Sequence, residues 1–140
     1  MKEITLRVLR PPVEDDIDLD IQWFCRSLGL LGKRDVNNTG FKIFKILLEN
    51  CKEGCTISVN EIAQRIGMTR TGIVHHLNIM RNAGLVINQG THYELRMRSL
   101  QKTVDEIRLD IERVIQTIRD VATDIDKRLN LPVRYISTHA

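Results

Sequence analysis

The chain has 140 residues, 42% of them hydrophobic and 28% charged, with a formal net charge of +3. That length fits one compact domain with an appendage, and the composition excludes disordered, collagen-like and low-complexity classes. No apolar run approaches the roughly 18 residues a membrane span needs, and the opening MKEITLRVLRPPVEDD lacks the apolar stretch of a signal peptide, so no membrane partner and a cytoplasmic location are expected. Three cysteines, Cys25, Cys51 and Cys55, are too few and odd in number for an extracellular disulfide framework, and reduced thiols are expected.

The charge is unevenly spread. Residues 11–31 carry Glu14, Asp15, Asp16, Asp18 and Asp20 against Arg26, a stretch that repels a polyanion. Residues 59–98 carry Arg65, Arg70, Arg81, Arg96 and Arg98 against Glu61 and Glu94, whereas residues 99–140 hold seven charges of each sign. The middle of the chain is therefore the candidate polyanion surface.

In chain order, Ile4, Leu6 and Val8 alternate with Thr5 and Arg7, the period of a half-buried strand, and Pro11-Pro12 ends it. Ile17, Ile21, Phe24 and Leu28 then recur at helical spacing, which predicts a helix over roughly residues 16–30 with aspartates at its N-terminus. Gly32 to Gly40, with Asn37, Asn38 and Thr39, reads as a loop ending in an N-cap. It separates an N-terminal strand-and-helix extension, residues 1–38, from the main domain. FKIFKILLEN places Phe41, Phe44, Leu47 and Leu48 on one face of an amphipathic helix. Ser58-Val59-Asn60-Glu61 is a capping box, the serine hydroxyl accepting from the Glu61 amide while the glutamate reaches back. The short helix it opens buries Ile62, Ala63 and Ile66, and Gly67 suits a left-handed C-cap. Thr69 caps a further helix that starts at Arg70 and runs to Asn82 or Ala83, before Gly84.

Two helices joined by a tight glycine-containing turn form a helix-turn-helix. In the second, Ile73, Leu77 and Met80 share a core-facing side, while Thr71, His75, Asn78 and Asn82 cluster opposite. Such side chains can read base edges, asparagine pairing bidentately with adenine and threonine meeting a thymine methyl. Leu85–Asn88 and His92–Leu95 flank Gln89-Gly90-Thr91 as a compact hairpin. The predicted fold is mainly α with a small β-hairpin wing. TRTGIVHHLNIMRNAGLV, preceded by VNEIAQRIGM, resembles the helix-turn-helix and wing entry of the ArsR-type prokaryotic transcriptional regulators, with the MarR type close behind.

The resemblance covers about residues 39–98. It implies a winged helix-turn-helix that binds double-stranded DNA, with the recognition helix over about residues 70–83 in the major groove and the wing, about residues 85–96, on the backbone or minor groove. Arg70, Thr71, His75 and Asn78 match base-reading positions. Arg81, Gln89, Thr91 and Arg96 match phosphate or minor-groove contacts, and Thr69 at the cap completes the set.

No cofactor is expected, and no enzyme: the chain has no glycine-rich phosphate loop, no nucleophile elbow and no His-Glu-x-x-His. His75 and His76 point about 100° apart on a helix and cannot readily share one ion, so His76 reads as a packing or phosphate-contact residue. Cys51 and Cys55 match neither a zinc nor a redox spacing and form at most a weak thiol site. Metal sensors of the resembled family carry a cysteine pair on the first helix of the motif, or histidines and carboxylates on the last helix. Residues 59–66 contain no cysteine and residues 99–130 no histidine, so no metal site is assigned and any small-molecule or metal effector is unknown.

Leu100, Val104, Ile107, Ile111, Val114, Ile118, Val121 and Ile125 alternate by four and three, an a/d heptad pattern. Residues 99–130 are thus one long coiled-coil-like helix, followed by a tail over residues 131–140. Ile115, Ala122 and Leu129 widen its apolar face beyond what a two-stranded zipper needs, and the N-terminal helix with Ile21, Trp23, Phe24 and Leu28 is a candidate to share it. At 1.5 Å per residue such a helix is about 45 Å long, more than a small winged domain can cover. A homodimer follows, and with it a pseudo-palindromic operator. The alternative is a winged-helix and coiled-coil module that binds another protein and has little DNA specificity of its own.

Overall fold

Ser58, Gly67 and Thr69 set where the two central helices begin and end. In the computed structural model, which describes residues 1–31, 38–54 and 56–132, the Ser58 hydroxyl accepts from the Glu61 amide at 3.1 Å. Gly67 takes the left-handed conformation at φ 76°, where a Cβ is costly, and the Thr69 hydroxyl accepts from the Gly72 amide at 3.4 Å. The second half of the expected capping box is replaced: the Glu61 carboxylate takes Arg65 at 2.8 Å, one turn on.

The elements are α1 (Ile17–Ser27), α2 (Thr39–Lys52), β1 (Ile57–Ser58), α3 (Val59–Ile66), α4 (Arg70–Asn82), β2 (Val86–Gln89), β3 (His92–Leu95) and α5 (Leu100–Leu129). The expected mainly helical fold with a small antiparallel wing is present. The hairpin gains a third strand, giving the order β1-β3-β2, with Ile57 opposite Tyr93 and Val86 opposite Leu95. A two-residue strand has no periodicity to read, and Ser58 serves both as its end and as the cap of α3.

The strand expected over residues 4–8 does not form. Lys2 and Glu3 donate their amides to the Asn82 carbonyl at 2.7 and 3.1 Å, and Arg7 donates to the Ser27 carbonyl at 2.8 Å. These are isolated bonds to the ends of helices, so the alternating pattern has no neighbouring strand to pair with, and Leu6 and Val8 are exposed. α1 stops at Ser27, short of the expected residue 30, where Gly29 takes φ 67°. The loop expected over residues 32–40 lies largely outside the described residues.

The chain falls into two units, residues 1–107 and residues 108–140. The first unit includes the N-terminal segment: Phe24 of α1 stacks on Phe44 of α2 at 5.7 Å between centroids, and Cys25 is fully buried. Asp18 holds Lys45 in an ion pair at 2.9 Å, and through that hydrogen bond raises the ammonium above its ordinary range. The core of this unit gathers Phe44 and Leu47 from α2, Ile62 from α3, Ile73, Leu77 and Met80 from α4, and Tyr93 and Leu95 from β3. Burying each such side chain contributes about 1.5–3 kcal/mol, which makes the helix-turn-helix a rigid platform.

The root of α5 also belongs to this core. Thr103 and Ile107 are buried, and the Thr103 hydroxyl accepts from the Met97 amide at 3.2 Å. Gly84 follows α4 at φ 82°, and a Cβ there would stand 3.6 Å from Ile107 and 3.2 Å from the Arg96 guanidinium. Ile107, expected on the dimer seam, is thus an internal residue, and Leu100 is half-buried. In the second unit the helix continues with Ile111 half-buried and everything described from Glu112 onward exposed. Among the described residues no helix is long and apolar enough to cross a membrane.

Candidate nucleic-acid interface

Helical phase decides which side chains of α4 are available. Ile73, Leu77 and Met80 are fully buried, which turns Arg70, Thr71 and His75 outward to solvent and leaves Asn78 half-buried at the edge of the exposed strip. Thr69 is exposed with its hydroxyl engaged as acceptor for the cap, so its own proton stays available to an outside acceptor. Gly72 admits the Met68 methyl group: a Cβ there would lie 2.8 Å from it. The first turn of α4 therefore sits close against the turn from α3, with Arg70 and Thr71 at its exposed end.

At the other end of α4, the Arg81 guanidinium donates to the side-chain Oδ1 of Asn88 in β2 at 3.4 Å, and the side-chain Nδ2 of Asn88 donates to the Gly90 backbone carbonyl at 3.0 Å. This chain of bonds ties the last turn of α4 to the tip of the wing. Gln89 and Thr91 stand exposed at that tip on either side of Gly90, whose φ of 59° makes the tight reversal. The Thr91 carbonyl accepts from the Val59 amide at 3.0 Å, fixing the tip against the start of α3.

Arg96 stands apart from the other candidates. Its guanidinium donates to the Gly84 carbonyl at 3.4 Å and faces Glu106 at 3.8 Å, with its side chain three-quarters covered. The structure gives it an internal role, holding the root of α5 to the exit of α4. His76 is partly covered at the border of the buried face and lies edge-on to His75 at 5.7 Å between ring centroids. The Cys51 thiol donates to the Arg98 carbonyl at 2.9 Å, while Cys55 lies outside the described residues. Among the described residues no three His, Cys, Asp or Glu side chains converge as a metal site.

An exposed polar helix face beside a tied wing is an arrangement suited to duplex nucleic acid, the helix width matching the major groove. Residues 42–88 match the family model of bacterial regulatory proteins of the arsR family. The matched segment runs from α2 through α3 and α4 into β2, so the part of the chain similar to that family is the helix-turn-helix at the centre of the first unit. No curated protein and no solved structure matches the chain. The match thus covers the helix-turn-helix, while residues before 42 and after 88 lie outside it.

Proposed function

We propose that the chain is a sequence-specific transcription regulator that binds double-stranded DNA as a homodimer, inserting α4 in the major groove and laying the β2–β3 tip on the backbone or minor groove. The observation that carries this reading is the division of α4, with three apolar side chains fully buried and Arg70, Thr71 and His75 presented outward. Arg70, Thr71, His75 and Asn78 read base edges. Thr69, Arg81, Gln89 and Thr91 contact phosphates or the minor groove and set the docking register.

The second copy meets the exposed stripe of α5. Val114, Ile118, Val121 and Ile125 are 47–58% exposed and lie on the a/d seam, with Ile115 and Leu129 beside them at 56% and 64%. Four such layers of apolar side chains, two in every seven residues, are what a coiled-coil partner covers. A two-fold dimer then reads a pseudo-palindrome with half-sites about one helical turn apart.

The same stripe also supports a second reading, a module that pairs with a different protein through α5 and the acidic stretch at residues 14–20. Selection of bound sequences from random duplex DNA at near-physiological salt, with sedimentation of the full chain alongside, separates them. An enriched inverted repeat bound by a dimer supports the regulator. Weak binding without an enriched motif, by a monomer, leaves the interaction module.

A further inference from the structure

The N-terminal segment has no part in the helix-turn-helix, yet its backbone is fastened to the end of α4. Both the Lys2 and Glu3 amides donate to the Asn82 carbonyl, at 2.7 and 3.1 Å. That carbonyl is among the last of the helix, whose final acceptors lack partners within the helix itself. The attachment sets Lys2 in an open groove of about 400 Å³ between the last turn of α4 and the wing, lined also by Arg81, Asn88, Ile87 and Arg96.

The groove is cationic. Arg96 is paired with Glu106, but Lys2 and Arg81 make no ion pair among the described residues. Two uncompensated cations and an amide side chain lining one open groove, with no carboxylate on its walls, form an electrostatic site for an anion. Lysine serves phosphate as a compact point charge, and arginine as a fork that can engage two oxygens. The groove lies between α4 and the wing, the two elements proposed above to contact DNA.

We propose that Lys2 is a DNA-phosphate contact, and that the N-terminal segment is an arm of the DNA-binding surface, held in place by its backbone bonds to Asn82. This rests on the DNA-binding reading above and adds to it a residue outside the ArsR-family segment. The bonds that place the arm come from the backbone, so shortening the side chain leaves the anchor intact.

The test is fluorescence anisotropy of the full chain on a selected duplex and on a random duplex, across a series of KCl concentrations, for the wild type, Lys2→Ala and Lys2→Arg. Each phosphate contact removed lowers the slope of log K against log salt by about 0.9. Lys2→Ala is expected to lower the slope by that amount and to weaken both duplexes equally, leaving their ratio unchanged, and Lys2→Arg is expected to restore the wild-type slope. An unchanged slope in Lys2→Ala, with wild-type thermal unfolding, overturns the arm contact while the regulator reading stands. If the wild type itself shows no salt-dependent binding to either duplex, the DNA-binding reading falls and the arm contact with it.

Discussion

Replacing Ile107 with alanine, and separately Ile118 with aspartate, distinguishes two roles within one heptad stripe. Ile107 is 3% exposed, enclosed between Gly84 and the core of the first unit, so its truncation leaves a cavity with little room to collapse. A buried Ile→Ala change costs about 2–5 kcal/mol, and for a unit of about 100 residues each kcal/mol lowers Tm by about 4–8 °C. A fall of roughly 10–25 °C is therefore expected for Ile107→Ala, taking about 3 kcal/mol as the middle of the range. Ile118 is 58% exposed, so Ile118→Asp removes little from the fold of one copy but places a carboxylate in the seam. It should convert a sedimenting dimer to monomer and abolish the concentration dependence of Tm that a dimer shows. Thermal unfolding at two protein concentrations, with sedimentation of both variants, reads both effects. A cost below about 1 kcal/mol for Ile107→Ala, outside the range for a buried isoleucine, refutes the placement of α5's root in the core.

Ser58→Ala deletes the acceptor for the Glu61 amide and should cost about 0.5–2 kcal/mol in chemical unfolding, with the midpoint moving and the slope unchanged. Gly84→Ala forces a Cβ into the left-handed region at φ 82° and to within 3.2 Å of the Arg96 guanidinium, so the same assay should show a loss of at least about 1 kcal/mol, from the backbone alone. Glu106→Gln should leave Arg96 bonded to Gly84 and cost under about 1 kcal/mol, as partly exposed ion pairs do; a larger loss in urea unfolding would show that the ion pair, rather than the bond to Gly84, holds Arg96.

The helices and their ends were legible because capping chemistry is local. Ser58, Gly67 and Thr69 each act through a hydrogen bond or a backbone angle within three residues, and Ile73, Leu77 and Met80 fix the phase of α4 within its own thirteen residues. What failed depends on partners far along the chain. Ile4, Leu6 and Val8 alternate as a strand does, but pairing needs an edge to receive them, and the amides before and among them go instead to Asn82 and Ser27. The heptad stripe of α5 shows which side is apolar without showing what covers it, so Ile107 looked like Ile118. Arg96 matches a phosphate or minor-groove contact by resemblance, and its bonds to Gly84 and Glu106 could not be read because neither is near it in sequence. Lys2 drew no notice for the same reason: only the bond to Asn82 brings it beside Arg81.

The central claim is that the outward strip of α4 reads base edges, and the specificity ratio tests it most directly. The affinity of the full chain for its selected duplex is divided by that for a random duplex, for the wild type and for the triple variant Arg70→Ala, His75→Ala, Asn78→Ala. Specific sites are typically bound about 10³–10⁷ times tighter than random sequence, and each bidentate base contact contributes about 1–3 kcal/mol of discrimination. The account predicts a wild-type ratio in that range, collapsing by at least about thirtyfold in a variant that folds normally, since the two contacts that Arg70 and Asn78 can make bidentately amount to about 2 kcal/mol even at the low end of that energy. A folded variant that keeps the wild-type ratio would contradict it.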